Sequence, residues 1–177
     1  LIKKKSKDIT NNKSYFSLND TFKDLNKIVY TQLISKNILC KKDIEDSLKL
    51  YGNKKELINI LINLISNARD AFENKDIASK EIDIKVFKTA KNIEINICDN
   101  AGGIKSEIIE RIFNPYFTTK EQGKGTGIGL YMSKQMVESV SGSTINIEVI
   151  GGYTLFKIKF KKSNLINSKL GIENLYA

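Results

Sequence analysis

Asn63 and Asn67 stand four residues apart and Asp70 follows three later, so on a helix all three project from one narrow stripe. An amide oxygen is a neutral, hard ligand. Mg2+ carried on a triphosphate keeps its waters and needs only one or two protein oxygens. The stripe lies in the first of four polar or glycine-rich islands: NLISNARDA (63–71), DNAGG (99–103), FNPYFTTK (113–120) and GKGTGIGL (123–130). The second island offers a carboxylate. Ile93, Ile95 and Ile97 mark the inward face of a strand, and parity carries Asp99 onto that face where the strand ends. A carboxylate aimed at a core needs a donor, and the exocyclic amine of adenine is a suitable one. Asn100 can turn the chain, and Gly102 and Gly103 let backbone approach a flat ring closely. The fourth island places Gly123, Gly125, Gly127 and Gly129 at the start of a helix, where free amides and the helix dipole face phosphate. It is not a Walker loop, because no Ser or Thr follows Lys124. Thr126 is placed to donate to a phosphate oxygen or to cap the helix, and Lys124 to neutralise phosphate charge. In the third island Phe113 and Phe117 flank the only proline, Pro115. Lys120 either reaches phosphate or is simply solvated, as lysines commonly are. Taken singly, each island has an ordinary alternative: a polar helix border, a tight turn, a flexible loop, a pair of core aromatics.

The elements around the islands follow from periodicity. Residues 53–74 are the strongest helix, with Leu57, Ile60, Leu61, Leu64, Ile65, Ala68, Ala71 and Phe72 on one broad arc bordered by the polar stripe. Residues 81–88 and 92–99 alternate at period two and predict an antiparallel pair. Residues 15–19, 38–42 and 47–51 read as short strands, the last two around the DIED turn. Asp20 or Thr21 is a candidate cap for a helix reaching about residue 36. Residues 106–112 and 127–140 read as helices, and 143–150 with 153–161 as a hairpin across Gly151-Gly152. Mixed helices and sequential antiparallel strands predict an α/β two-layer sandwich, with a mixed, mostly antiparallel sheet and helices on one face. They argue against a doubly wound parallel sheet. The expected organisation is a basic linker or helix end over 1–14, one domain over 15–161, and a polar tail over 162–177.

Composition narrows the chemistry. The 177 residues suffice for one core, 41% are hydrophobic, and no apolar run is long enough to cross a membrane. The net charge of +9 is spread through every segment, so a biased, solvated surface is the better reading than a nucleic-acid footprint. Cys40 and Cys98 lack metal-like spacing, which predicts structural thiols in a reducing, cytoplasmic setting. There is no histidine, so no His-based acid–base chemistry, His metal ligand or phosphoacceptor His is available within the chain. The chain opens on Leu1 rather than Met, which predicts a piece of something longer.

In this order and spacing the islands, above all the phrase FNPYFTTKEQGKGTGIGLYMSK, resemble the ATP-binding catalytic domain of sensor histidine kinases, a branch of the Bergerat-type ATPases. The likeness covers residues 15–161. It implies ATP and Mg2+ as ligands, with Asn67 carrying the metal and Asp99 reading adenine. It implies a nucleotide site of Asn63, Asn67, Asp99, Gly102, Gly103, Phe113, Phe117, Thr119, Gly125, Thr126, Gly127, Gly129 and Leu130, with catalytic roles for Asn63, Lys120 and Lys124. Residues 113–126 would form a lid anchored by the two phenylalanines. The γ-phosphoryl group would go to a histidine on a separate dimerisation domain of the same, homodimeric protein, whose membrane attachment the resemblance leaves open, and then to a response regulator. Gyrase-like and chaperone relatives place a Glu where this chain has Asn63, and an amide cannot accept a proton from water. Three alternatives stay open: an anti-sigma-type serine kinase, a binding module without catalysis, and a water-using ATPase. Some features depart from the pattern. Gly151 and Gly152 match the last glycine box loosely, residues 139–143 replace a more glycine-rich turn, and Asp70 stands where some members have a basic residue, so no phosphate role passes to it.

Overall fold

The described chain runs β1 (Ser14–Ser17), α1 (Leu18–Ile34), β2 (Ile38–Ile44), β3 (Lys49–Gly52), α2 (Lys54–Ala71), β4 (Lys80–Lys88), β5 (Asn92–Asp99), α3 (Ser106–Ile109), α4 (Gly129–Glu138), β6 (Thr144–Ile150) and β7 (Tyr153–Lys161). The computed structural model describes residues 13–121, 123 and 125–162. Most of the expected linker, all but the first residue of the expected tail, and Lys124 therefore lie outside the described residues.

Five strands form one sheet in the order β2-β4-β5-β7-β6, and β1 pairs with β3 in a small separate ribbon. The pairs β4–β5, β5–β7 and β6–β7 are antiparallel, while β2–β4 is parallel. Along β5 and β7 every second residue is buried, as a sheet covered on one face requires. Ile82, Ile84, Ile95, Ile97 and Ile158 meet Leu57, Leu61, Leu64 and Ile65 of α2 and Leu18, Phe22 and Leu25 of α1 in one core. The result is the expected two-layer α/β sandwich.

Local chemistry sets the helix ends. Asn53 caps α2: its side-chain oxygen accepts from Lys55 N and Glu56 N, and its amide donates to Glu56 Oε1 at 3.1 Å. The N-cap side chain thus satisfies two free helix amides and is itself held by the Glu56 carboxylate. It also occupies Glu56, the only carboxylate on the stripe side of the first turn.

Three expectations need correction. The cap of α1 is Ser17, not Asp20 or Thr21, and Ser17 Oγ accepts from Asp20 N. Thr21 is instead fully buried and donates back to Ser17 O at 2.7 Å. The strands on either side of the DIED turn, expected over 38–42 and 47–51, run over Ile38–Ile44 and Lys49–Gly52. β2 extends through Ile44 to run parallel with β4, while β3 joins β1. Finally α4 begins at Gly129 rather than Gly127, because Gly127 has φ +65 and a right-handed helix cannot include it.

Candidate functional site

The carboxylate end of the site is built by β5. Asp99 continues the buried row of Ile93, Ile95 and Ile97 and is only 3% exposed. Its Oδ1 accepts from Ala101 N at 3.0 Å, and no other described residue donates to it. Burial pushes its carboxyl up to about 6, against the pull of the Ala101 N–H and the Lys75 charge. A buried acceptor with spare lone pairs is what a ligand donor would satisfy. The turn after it is held from several sides. Asn100 accepts from Glu81 N and donates to Ser79 O, Gly102 N donates to Gly152 O at 2.9 Å, and Lys75 Nζ donates to Ala101 O. Gly103 has φ +77, and a Cβ there would also meet Val149 Cγ1 at 2.8 Å, so backbone conformation and packing both disfavour a side chain. The β6–β7 turn thus supports the DNAGG loop, a role for Gly152 beyond closing the hairpin.

The opposite end is built by α2 and α4. Asn63 Nδ2 donates to Ser133 Oγ at 2.9 Å, and Ser133 is 3% exposed. Gly129 opens α4 directly against that amide: a Cβ there would lie 2.2 Å from Asn63 Oδ1. Asn59, Ile60, Met132 and Met136 continue the cleft between the two helices. Asn67, one turn on from Asn63, is half-buried, and no described residue bonds its amide. Asp70 is bonded by Lys120 Nζ at 2.6 Å and by both Arg69 Nε and Nη2. Burial pushes its carboxyl up, but the Lys120 and Arg69 hydrogen bonds outweigh that and hold it below the usual carboxylate range.

Residues 113–121 lie across this end. Phe113 packs edge-on to Phe156 at 6.4 Å and under the Lys134 ammonium, and Phe117 packs under the Arg111 guanidinium at 4.8 Å. Both rings are partly buried against the core, so they anchor the segment as expected. Thr119 is exposed. Thr118 Oγ1 accepts from Lys120 N and lies where a Gly125 side chain would go. Thr126 Oγ1 accepts from Ile128 N at 3.4 Å, which closes a turn just ahead of α4 and leaves the helix's own first amides uncapped. Leu130 is partly buried against the core.

The structure therefore brings Asn63 against Gly129 and Ser133, and seats the 113–121 segment on Asp70 through Lys120, with Asn67 on the α2 stripe between those two contacts. Sequence reasoning missed Ser133 and Lys75. Ser133 lies four residues past Gly129, on the same helical face, which is a readable signal. Lys75 lies in a turn with no periodicity and gives none.

Residues 52–164 match the family described as histidine kinase-, DNA gyrase B- and HSP90-like ATPases. The chain belongs to this family. It is 41% identical over 95 residues to the two-component sensor PprA of Pseudomonas aeruginosa, a match spanning 52% of this chain and 10% of PprA. It is 34% identical over 118 residues to the C4-dicarboxylate transport sensor protein DctB of Rhizobium meliloti, spanning 67% of this chain and 18% of DctB. Both sensors are thus far longer than this chain. The nucleotide-free catalytic domain of the histidine kinase ThkA matches with TM-score 0.74 and 26% identity, over 85% of this chain and 95% of that one.

Membership in an ATPase family makes ATP the ligand against which the site is judged, and the residues fit it. Asp99 supplies a buried acceptor beside glycine-permissive backbone, and the start of α4 supplies amides that carry no side-chain cap. Among the described residues no group of three or more His, Cys, Asp or Glu could hold a metal. A cation carried on a triphosphate needs only one or two protein oxygens, which an amide such as that of Asn67 can supply. Cys40 and Cys98 are free, and burial pushes both thiols up, so neither offers a ready thiolate. No described helix is long and apolar enough to cross a membrane.

Proposed function

We propose that the chain is the catalytic, ATP-binding domain of a two-component sensor histidine kinase. It binds ATP with Mg2+ and presents the γ-phosphoryl group to a histidine on a separate helical dimerisation domain of the same protein. A response regulator receives the group from that histidine. The observation that carries this reading is the buried, singly donated Asp99 at one end of a site whose other end is Asn63 rather than a base. Asp99 reads the adenine amine, while Gly102 and Gly103 admit the ring. Asn67 offers the amide oxygen for Mg2+, which when bound neutralises phosphate charge. The start of α4, Gly125 to Gly129, and the lid hold the phosphates, with Lys120 at hand. Asn63 cannot take a proton from water, so hydrolysis is left without a base. The incoming histidine nitrogen bonds to the γ-phosphorus, the bond from that phosphorus to the ADP oxygen breaks, and the ring proton leaves to solvent. Positioning and charge neutralisation do most of the work. The PprA and DctB likeness and the ThkA fold support the reading, and it places the domain on the cytoplasmic side of its parent.

The test uses labelled ATP. The chain alone should take no label on histidine, because it has none. Mixed with the helical histidine-bearing domain of its parent, it should transfer label that is lost in acid and kept in alkali. Acid-stable label would point to a serine kinase. Rapid phosphate release without a partner would point to an ATPase.

Asn67→Ala gives a separate expected outcome. Magnesium should no longer tighten ATP binding, while adenosine binding stays within about twofold, since the amide faces the phosphate side of the stripe. Titration calorimetry with and without Mg2+ checks it, and a surviving magnesium effect would assign the metal to another residue.

A further inference from the structure

Lys120 and Asp70 are fifty positions apart, yet the lid lysine is seated on the α2 carboxylate at 2.6 Å. Both side chains are largely covered, at 33% and 25% exposure. The lysine is clamped from its other side too: a Cβ on Gly125 would lie 3.1 Å from Lys120 Cδ and 3.2 Å from its Cβ. Arg69 occupies the second carboxylate oxygen, and its Nη1 continues to Gln32 of α1. Asp70 sits one turn beyond Asn67 on the same stripe, at the border where a phosphate chain would pass. An acidic residue there is unfavourable for a polyanion, so its placement calls for a reason.

We propose that Asp70 is a specificity-determining residue of the nucleotide site: it holds Lys120 as an internal anion, which the phosphate chain of a nucleotide must displace. The proposal rests on the ATP-site reading above. A triphosphate carries several charges against one on the carboxylate, and lysine is a compact point charge that exchanges anions without a fixed fork geometry. Exchange leaves Asp70 with Arg69, so the carboxylate is not abandoned unpaired. The penalty of displacement and of residual repulsion falls only on phosphate-bearing ligands. Adenosine, which stops at the Asp99 end, does not meet it. Asp70 therefore lowers the affinity for ATP relative to adenosine and keeps the lid seated until a phosphate chain arrives.

The experiment measures ATP and adenosine affinities of wild type, Asp70→Asn, Lys120→Met and the double variant by calorimetry. Asp70→Asn should bind ATP about 3- to 10-fold more tightly with adenosine unchanged, and in the Lys120→Met background that gain should shrink to the part that residual repulsion contributes. Weaker or equal ATP binding in Asp70→Asn, or an equal gain with adenosine, overturns the proposal while leaving the ATP site standing. Failure of the wild-type chain to bind ATP at all overturns both. Hydrogen exchange provides a second readout: residues 117–121 should exchange faster in nucleotide-free Asp70→Asn than in wild type. Equal protection would show that the ion pair does not hold the lid.

Discussion

Asp99→Asn is expected to make the nucleotide-free protein more stable at neutral pH and the nucleotide complex weaker. Both follow from one carboxylate. Its folded value of about 6 lies above the ordinary 3.8 because of burial, so the protonated form is favoured by folding. Stability from that preference is fully present below pH 3.8 and is lost as pH rises through 6. At pH 7.5 the ionised group costs the folded state about 3 kcal/mol relative to a solvated carboxylate. Asn keeps the shape and one acceptor and does not ionise, so most of that cost should be relieved. The gain should shrink toward zero at pH 4, where wild-type Asp99 is neutral in the folded chain. Thermal unfolding at both pH values reads this directly. The same change removes a charge-assisted acceptor from the adenine amine, worth roughly 1–3 kcal/mol, or on the order of 10- to 100-fold in ATP affinity. Stabilisation without lost affinity would remove Asp99 from the base pocket. Lost affinity without stabilisation would show the carboxylate to be better solvated than its burial indicates.

That Asp99 was readable in advance is a matter of parity. Three isoleucines at alternate positions define the buried side of β5, and the period of two leaves no choice for the residue that follows. The same holds for α2, where six buried apolar positions from Leu57 to Ala68 fix the buried face and so the border on which Asn63, Asn67 and Asp70 stand. Contacts between distant segments were not readable. Nothing in 38–44 reveals that it pairs in parallel with 80–86, because a parallel pair needs a long crossover and its partner is chosen by the packing of everything between. The Asp70–Lys120 pair is of the same kind: each residue looks solvated in its own segment. The cap of α1 failed for a subtler reason. Several small polar residues compete at that end, and the decision lies with Leu18, which is fully buried and draws the helix start back to Ser17. The starting point of α4 failed because the sequence shows that a glycine is present but not that its φ is positive.

Gly127→Ala is expected to loosen the lid and cost at least tenfold in ATP affinity while leaving the core intact. Gly127 carries two independent demands. Its φ is +65, a conformation that costs a residue with a side chain about 1 kcal/mol or more. A Cβ would also lie 2.4 Å from Tyr116 C, 2.6 Å from Tyr116 O and 2.7 Å from Phe117 N. These are backbone atoms and cannot rotate away, so residues 116–117 or the glycine loop must shift. Tyr116 itself has φ +64, so the chain on the other side of this contact is also in an uncommon conformation with little room to adjust. Gly123→Ala separates the two demands: its φ is +88, but nothing lies within 4 Å of a Cβ there. It should show the conformational cost alone, with a small loss of affinity and an unmoved lid. Hydrogen exchange over 113–121 and calorimetry with ATP and adenosine compare the pair. Adenosine binding should survive in both variants, because its end of the site is built by β5 and the β6–β7 turn rather than by the lid. If Gly127→Ala behaves like Gly123→Ala, the close approach of the glycine loop to Tyr116 plays no part in holding phosphate. If it also loses adenosine, the lid and the base end are one cooperative unit.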